Sequence, residues 1–307
     1  MLKYKALWID DSTESRDTKI EGIGEFLIDE GFVFEPILKE DAEDIGKHLN
    51  DPELDIVITD FNGINVTELV DKVQALEKYI DLVLYSENPP LEFDNVARSY
   101  PWIYPCTRDD VEDTIKKVIQ STIRRTQNVI NMRGIVISEG IDVENQIEEI
   151  ILSYFQNEKD LAQKILDARN TCDFGKKIAF LHSILNKVNK YLNNIIADTS
   201  LSSAIREECK QYVVEFTPLR NICKKLAKQV MEPRNILAHV EYVINEDNKP
   251  FLKSLERGYE AIVIDSQWCK EKRLALNEHQ QNLGEIKKFI EAWNGFRANN
   301  ILKAYGV

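Results

Sequence analysis

The first third of the chain alternates short hydrophobic runs with amphipathic stretches. Five of these runs predict buried strands: KALWI (5–9), 32–38, LDIVIT (54–59), DLVLYS (81–86) and WIY (102–104). Apolar positions at helical spacing predict helices between them, over roughly 15–30, 41–50 and 69–76. Strands separated by helices of this length favour a doubly wound, parallel, five-stranded α/β sheet, with functional residues at the carboxyl ends of the strands.

From Asp109 onward the hydrophobic spacing is helical and continues toward Ile130. No Gly, Pro or Ser linker interrupts it, so we expect a rigid connecting helix over about 107–131. Further helices are predicted over 141–157, 174–196, 201–230, 234–243 and 277–298, with a small strand or hairpin within 250–266. The pattern therefore predicts two domains, an α/β domain over 1–127 and an all-α bundle with a small β insertion over 128–307.

Charge is distributed unevenly along the 307 residues. Through residue 130 there are 28 acidic and 14 basic residues, whereas the remainder holds 24 and 25. Only the second half approaches a polyanion without strong repulsion. The start, MLKYKALWIDD, contains no signal peptide, and no run reaches membrane-spanning length, so we expect a cytoplasmic protein with no membrane partner. The five scattered cysteines favour reduced thiols rather than disulfides or a metal site.

Acidic residues and a hydroxyl follow three of the predicted strands. Asp10 and Asp11 come after the first strand, Asp60 after the third and Ser86 after the fourth. Converging carboxylates repel one another unless a hard cation such as Mg²⁺ binds between them. A carboxylate beside that cation can attack a phosphoryl donor and become an aspartyl phosphate, to which a neighbouring hydroxyl can donate a hydrogen bond.

The segments IDD (9–11), TDFNG (59–63) and LYS (84–86) resemble the receiver domain of two-component response regulators. The resemblance implies a Mg²⁺ site formed by Asp11, Asp60 and the carbonyl of Asn62, with Asp10 assisting through water. It makes Asp60 the phosphorylation site and Ser86 the switch hydroxyl. A histidine kinase or a small phosphodonor is the implied partner.

One position departs from the receiver pattern. Receivers carry a Lys-Pro pair after the fifth strand, and the corresponding pair here is Tyr104-Pro105, with no lysine between Lys78 and Lys116. Loss of a cation from the phosphoryl site weakens the phosphorylated state and its coupling to conformational change. The alternative is a pseudo-receiver that keeps the fold without turning over phosphate.

A second constellation lies in EPRNILAHVEY (232–242). On the predicted helix, Asn235 and His239 are four residues apart and share one face, and the long side chain of Arg234 can curl toward His239. An arginine beside a histidine suits a phosphodiester, because the guanidinium holds nonbridging oxygens while the imidazole moves a proton. With RNA as substrate, its own 2′-hydroxyl can be the nucleophile, so no metal is needed.

The hexapeptide RNILAH resembles the R-x4-H motif of the HEPN superfamily, all-α domains that include many metal-independent ribonucleases. Stretches 132–155, 173–185 and 219–226 resemble the earlier HEPN helices. The family implies a homodimer whose two motifs meet across a cleft. Each copy would contribute Arg234 and His239 to catalysis, with Asn235 positioning one of them or the RNA, and Glu144 or Glu148 would orient the arginine.

Together the resemblances predict a receiver-gated endoribonuclease of stress response or antiviral defence, with a protein inhibitor as a further candidate partner. One alternative is a noncatalytic HEPN-like adaptor that dimerises and binds a partner. The other is a response regulator with an unusual output domain. The acidic net charge of −13 and the lack of a helix-turn-helix signature argue against DNA binding.

Overall fold

The chain divides into two compact units, Leu2–Asn128 and Val129–Val307. The computed structural model describes residues 2–41, 44–61, 65–76, 78–87, 99–127, 129–167, 172–244, 250–254 and 262–301. The first unit is an α/β fold with an all-parallel sheet and the second is mainly helical, which confirms the coarse fold class predicted from the hydrophobic pattern.

A five-stranded, all-parallel sheet forms the centre of the first unit. Its strands are β1 (Lys3–Ile9), β2 (Val33–Lys39), β3 (Leu54–Asp60), β4 (Asp81–Ser86) and β5 (Ile103–Thr107). They lie in the order β2-β1-β3-β4-β5. The helices of this unit in the described residues are α1 (Thr13–Asp29), α2 (Ile45–Leu49), α3 (Val66–Gln74) and α4 (Val111–Thr126).

Alternate residues of the strands point into two separate hydrophobic cores. In β1, Leu7 and Ile9 pack with the apolar residues of α2 and α3, whereas Ala6 and Trp8 pack with those of α1 and α4. Side chains that alternate across a strand must be apolar on both faces when helices cover both. This double burial explains why the strands read as continuous hydrophobic runs in the sequence.

Strand β5 continues three residues beyond the predicted stretch 102–104, which is a correction to the sequence interpretation. Tyr104 lies inside the strand and pairs with Val83, and the strand ends where Thr107 pairs with Ser86. Pro105 does not end the strand, because β5 is at the edge of the sheet and proline is tolerated there. The residue that follows the true carboxyl end of β5 is therefore Arg108, not Pro105.

The single connecting helix predicted over 107–131 is also wrong. Helix α4 ends at Thr126, where the Gln127 N–H donates to the carbonyl oxygens of Ile123 (3.0 Å) and Arg124 (3.3 Å). A second helix, α5 (Val129–Tyr154), starts three positions after Thr126, 12 residues before the predicted start at 141. Apolar periodicity continues across the break, so the pattern alone did not reveal it.

The second unit is a helical bundle around one core. Its helices in the described residues are α5, α6 (Lys159–Leu166), α7 (Phe174–Ala197), α8 (Ser203–Leu226), α9 (Glu232–Ala238) and α10 (Ser266–Phe296), with a 3₁₀ turn at Gln156–Glu158. A π-helical segment, Ala227–Met231, joins α8 to α9, and another, Arg297–Ile301, follows α10. None of the helices in the described ranges is long and apolar enough to cross a membrane.

The helix predicted over 234–243 ends early, at Ala238. His239 leaves the helix with φ −121° and ψ 28°, and Val240–Ile244 forms strand β6. Antiparallel pairing with β7 (Pro250–Ser254) and then β8 (Ile262–Val263) completes a small sheet. The alternating, β-branched sequence VEYVI favours a strand over a continued helix. Asn235 and His239 therefore do not share a helix face as the sequence interpretation had them.

Candidate functional site

An acidic pocket lies at the carboxyl edge of the parallel sheet. Asp10 follows β1 and Asp60 ends β3, and both side chains are buried. The Arg108 guanidinium joins them, because its Nη2 atom forms an ion pair with Asp60 Oδ2 and lies 3.8 Å from Asp10 Oδ1. The structure thus brings two of the predicted carboxylates together around an internal cation.

Further donors fix the Asp10 carboxylate. The Ser12 N–H donates to Oδ1 (2.9 Å) and the Tyr85 hydroxyl donates to Oδ2 (2.5 Å). Tyr85 in turn accepts from the Trp8 indole N–H (3.1 Å). Burial, together with the hydrogen bond to Asp10, raises the pKa of Tyr85, so the phenol stays a neutral donor. The Arg16 guanidinium donates to the Asp10 carbonyl (2.9 Å).

Of the other three residues predicted for this pocket, one is buried, one is exposed and one lies outside the described residues. Ser86 is fully buried at the end of β4, and its carbonyl oxygen accepts from the Arg108 N–H (3.2 Å). Asp11 is exposed. Asn62, whose carbonyl was predicted to bind Mg²⁺, lies outside the described residues.

The pocket offers oxygen donors of the kind that Mg²⁺ prefers, mainly the carboxylates of Asp60 and Asp10. Within the described ranges, however, no group of three or more His, Cys, Asp or Glu side chains is arranged to hold a metal ion. The Arg108 guanidinium already lies against Asp60 Oδ2 and balances part of the charge of that carboxylate. The carboxylate oxygen atoms are of the type that binds a divalent cation, but the Asp60 carboxylate already binds the Arg108 guanidinium.

Arg108 is a pocket residue that the sequence interpretation missed. The receiver pattern has a Lys-Pro pair after the fifth strand, and Tyr104-Pro105 corresponds to it when the strand ends at Tyr104; an arginine four residues later does not match that pattern. In the structure, Tyr104 is within the strand and Arg108 occupies the strand end. The available signal was its position at the start of the predicted helical pattern, four residues beyond Tyr104.

The segment RNILAH forms the short helix α9 and the residue after it. Arg234, near the first turn, is partly buried, and its Nη2 atom lies 3.5 Å from Glu144 Oε2. Its Nη1 atom donates to Asn235 Oδ1 (3.2 Å), and the guanidinium carbon is 5.7 Å from the centre of the Phe174 ring. A Cβ atom at Gly140 would be 2.9 Å from Arg234 Cγ, so glycine allows the close approach of α5.

Glu144 links Arg234 to a buried lysine. Lys177 donates to Glu144 Oε1 (2.6 Å) and also forms an ion pair with Glu148. Burial opposes the charged ammonium, but the hydrogen bonds to Glu144 and Glu148 outweigh it and raise the pKa of Lys177. These two cations and two carboxylates balance one another, and they fix the Arg234 end of the motif on helices α5 and α7.

His239 is exposed at the carboxyl end of α9. The backbone N–H of His239 donates to the Ile236 carbonyl (3.0 Å), which closes the last turn of the helix. The Arg133 guanidinium donates to the carbonyl oxygens on either side of it, those of Ala238 (3.3 Å) and Val240 (3.5 Å). Arginine side chains commonly bind the last carbonyls of a helix in this way. Arg133, which the sequence interpretation also missed, therefore fixes the backbone that presents His239.

A buried histidine anchors the π-helical segment that leads into α9. His279 is fully buried, and its Nε2 atom is 2.8 Å from Gln229 Oε1. Burial lowers the pKa of His279. The neighbouring Gln280 donates to Glu139 of α5 (2.5 Å). These contacts tie α10 to both elements that hold the motif.

Comparison of the chain with protein-family models gives no match, and comparison with curated proteins gives none either. The receiver-like and HEPN-like resemblances therefore stay predictions that depend on the motif residues and their geometry.

Proposed function

We propose that this chain is a receiver-regulated, metal-independent endoribonuclease that cuts RNA by 2′-hydroxyl attack. The observation that supports it most is the arrangement of RNILAH. Arg234 is held by Glu144 at the start of a short helix while remaining 27% exposed, and His239 is presented in solvent at the helix end. A fixed guanidinium and an accessible imidazole are the groups that phosphodiester cleavage requires.

In this proposal His239 serves as general base or acid, and Arg234 stabilises the charge of the phosphorane-like transition state. Asn235, which accepts a hydrogen bond from Arg234, positions that guanidinium. The site is completed by a second copy of the chain, whose motif lies across a shared cleft. The exposure of Asn235 and His239 agrees with a surface that is completed by a partner.

The first unit is proposed to act as the receiver. Its strand order, 2-1-3-4-5, is that of flavodoxin-like folds, in which functional groups gather at the carboxyl ends of the strands. Asp60 is the proposed phosphorylation site and Ser86 the proposed switch hydroxyl, while Arg108 takes the place of the phosphate-binding lysine of the receiver pattern. Asp11, Asp60 and the carbonyl of Asn62 would hold a Mg²⁺ ion, with Asp10 assisting through water, and the ion would supply charge neutralisation for phosphoryl transfer.

The decisive experiment is RNA cleavage by purified full-length protein, with and without acetyl phosphate. Cleavage should persist in EDTA, leave 2′,3′-cyclic phosphate ends, and spare RNA with a 2′-deoxy substitution at the cut site. His239→Ala and Arg234→Ala should each lower the rate by ~10²-fold or more without changing the fold. A broad RNA panel that stays intact under both conditions would refute the ribonuclease proposal.

A noncatalytic adaptor is the second candidate, and one observation favours it. Arg234 already has an ion pair with Glu144 and a hydrogen bond to Asn235, as an arginine with a purely structural role would. For an adaptor, Arg234→Ala should dissociate the dimer in sedimentation experiments, and no RNA should be cut. For the ribonuclease, the same variant should keep its dimer mass and lose only its activity.

A further inference from the structure

The acidic pocket of the first unit already contains cations that belong to the chain itself. Two buried carboxylates, Asp10 and Asp60, are accompanied by two guanidinium groups. Arg108 pairs with Asp60 and lies near Asp10, and Arg16 is buried against the Asp10 carbonyl. Buried carboxylates are stable when paired and hydrogen-bonded, so this pocket needs no added cation to remain folded.

Asp10 has little capacity left for a metal ion. One carboxylate oxygen accepts from the Ser12 N–H, and the other accepts from the Tyr85 hydroxyl. Tyr85 is fixed by the Trp8 indole. The oxygen atoms of Asp60 are therefore the ones over which an incoming cation and the Arg108 guanidinium must compete.

The position of Arg108 also allows its side chain to move away from Asp60. Its side chain is 24% exposed, and it belongs to the turn after the edge strand β5 rather than to the middle of the sheet. Its backbone N–H stays attached to the Ser86 carbonyl, so the side chain can move without a change in the strand. The face of the Tyr85 ring, 5.8 Å from the guanidinium carbon, offers a neighbouring position.

We infer that Arg108 is the resident counter-ion of this pocket, and that a divalent cation binds Asp60 only by displacing its guanidinium. The inference rests on the receiver half of the proposed function, since it requires that the pocket accept such a cation. A guanidinium and a dication repel each other at close range, so each occupied state excludes the other. Arg108 thereby lowers the affinity for Mg²⁺ and keeps the metal-free protein folded.

The test is a Mg²⁺ titration of the full-length protein by calorimetry, paired with thermal unfolding in EDTA and in Mg²⁺. Arg108→Gln should bind Mg²⁺ at least ~10-fold more tightly than wild type, because the competing charge is gone. In EDTA it should unfold at a lower temperature than wild type, and saturating Mg²⁺ should restore most of that loss by binding the folded state. Asp60→Asn should remove the pocket-bound Mg²⁺.

Arg125→Gln is the matched control. Arg125 pairs with the buried carboxylate of Asp81 (2.9 Å) in the same unit, so its removal also leaves a buried carboxylate without its guanidinium. We expect lower stability but an unchanged affinity for Mg²⁺. If Arg108→Gln does not fold, Asp10→Asn should be compared with Asp10→Asn/Arg108→Gln, in which the loss of one carboxylate offsets the loss of the cation. The double variant should bind Mg²⁺ more tightly than Asp10→Asn by a similar factor.

Equal Mg²⁺ affinity in wild type and Arg108→Gln would overturn the inference and leave the receiver proposal standing. Absence of pocket binding in both proteins would overturn the inference and the receiver half of the proposed function together. A lack of RNA cleavage affects neither readout, because the titration measures the metal and not the activity.

Discussion

Substitution of Lys177 by methionine tests whether the motif of the second unit depends on a buried ionic cluster. Lys177 is only 10% exposed in its side chain and contacts both Glu144 and Glu148. Methionine fills a similar volume but leaves the two carboxylates, one helical turn apart on α5, without their shared cation. Arg234, 3.5 Å from Glu144, remains as the only compensation in the described contacts of the cluster.

The expected cost follows from the burial of the three groups. Removing one partner of a fully buried ion pair costs about 3–5 kcal/mol. The side chain of Glu148 is 26% exposed and Arg234 stays near Glu144, so solvent and that guanidinium reduce the penalty. We expect a loss of about 2–3 kcal/mol in the free energy of unfolding. At a urea m-value of ~2–3 kcal/mol/M, the unfolding midpoint should fall by about 1 M.

Urea unfolding followed by far-ultraviolet circular dichroism measures this change, since the long helices α5, α7, α8 and α10 dominate that signal. The neighbouring Lys176 is the matched control. Its side chain is 58% exposed and lies 3.8 Å from Asp173, so Lys176→Met should cost less than about 0.5 kcal/mol.

The triple variant Lys177→Met/Glu144→Gln/Glu148→Gln should recover part of the loss, because it removes the uncompensated charges as well. Equal effects of Lys177→Met and Lys176→Met, or a triple variant less stable than Lys177→Met, would show that the cluster does not support the motif.

For three further substitutions, the structure determines whether activity or stability should rise or fall. Arg133→Ala frees the carbonyls on both sides of His239, so RNA cleavage should fall by ~10-fold while the dimer mass stays constant. Asp55→Asn should stabilise the first unit by about 1–2 kcal/mol at pH 7. Burial raises the pKa of Asp55 to about 6, and the gain should vanish below pH ~4, where the carboxyl is protonated in both states; urea unfolding at the two pH values checks this. Because burial lowers the pKa of His279, the unfolded chain gains its proton first as the pH falls below ~6.5. Thermal unfolding at pH 7.5 and 5.5 should therefore show a loss of stability in acid that is smaller in His279→Gln.

The parallel sheet was predictable because helices cover both of its faces. Strands β1, β3 and β4 are apolar on both sides, which produces unbroken hydrophobic runs. The end of β5 was not predictable from the same signal. Its burial alternates, and Pro105 suggested an end that the edge position does not require.

In the helical bundle, too, the helix bounds that depend on neighbouring residues were predictable, and those that depend on distant residues were not. Helix α7 was predicted to within a residue or so, because Asp173 caps its start and its apolar face is continuous. The end of α9 depends instead on competition between helix and strand in residues 239–244, and the strand is favoured by its pairing with β7. The hydrophobic pattern of a short segment does not indicate pairing with a strand that comes later in the chain.

Long-range contacts also explain which site residues were missed. Arg108 reaches Asp60 across 48 residues, and Arg133 reaches the Ala238 carbonyl across 105. Neither arginine belongs to a motif, and each has a role only after folding brings its partner near. The motif residues Asp60, Arg234 and His239 could be proposed from the sequence because their own neighbours in the chain form recognisable motifs.

The two units share one electrostatic feature that bears on how each would bind an anion. Arg108 and Arg234 are each about one quarter exposed, and each already pairs with a carboxylate of the same chain, Asp60 or Glu144. A phosphoryl group on Asp60 adds anionic oxygen atoms at the residue that Arg108 already contacts, so a guanidinium displaced by Mg²⁺ gains a new anion to bind at the same place. An RNA phosphate must instead draw Arg234 away from Glu144, or share it. Neutralising Glu144 should thus make Arg234 more available to RNA, whereas neutralising Asp60 should leave Arg108 with the more distant Asp10 carboxylate, 3.8 Å away.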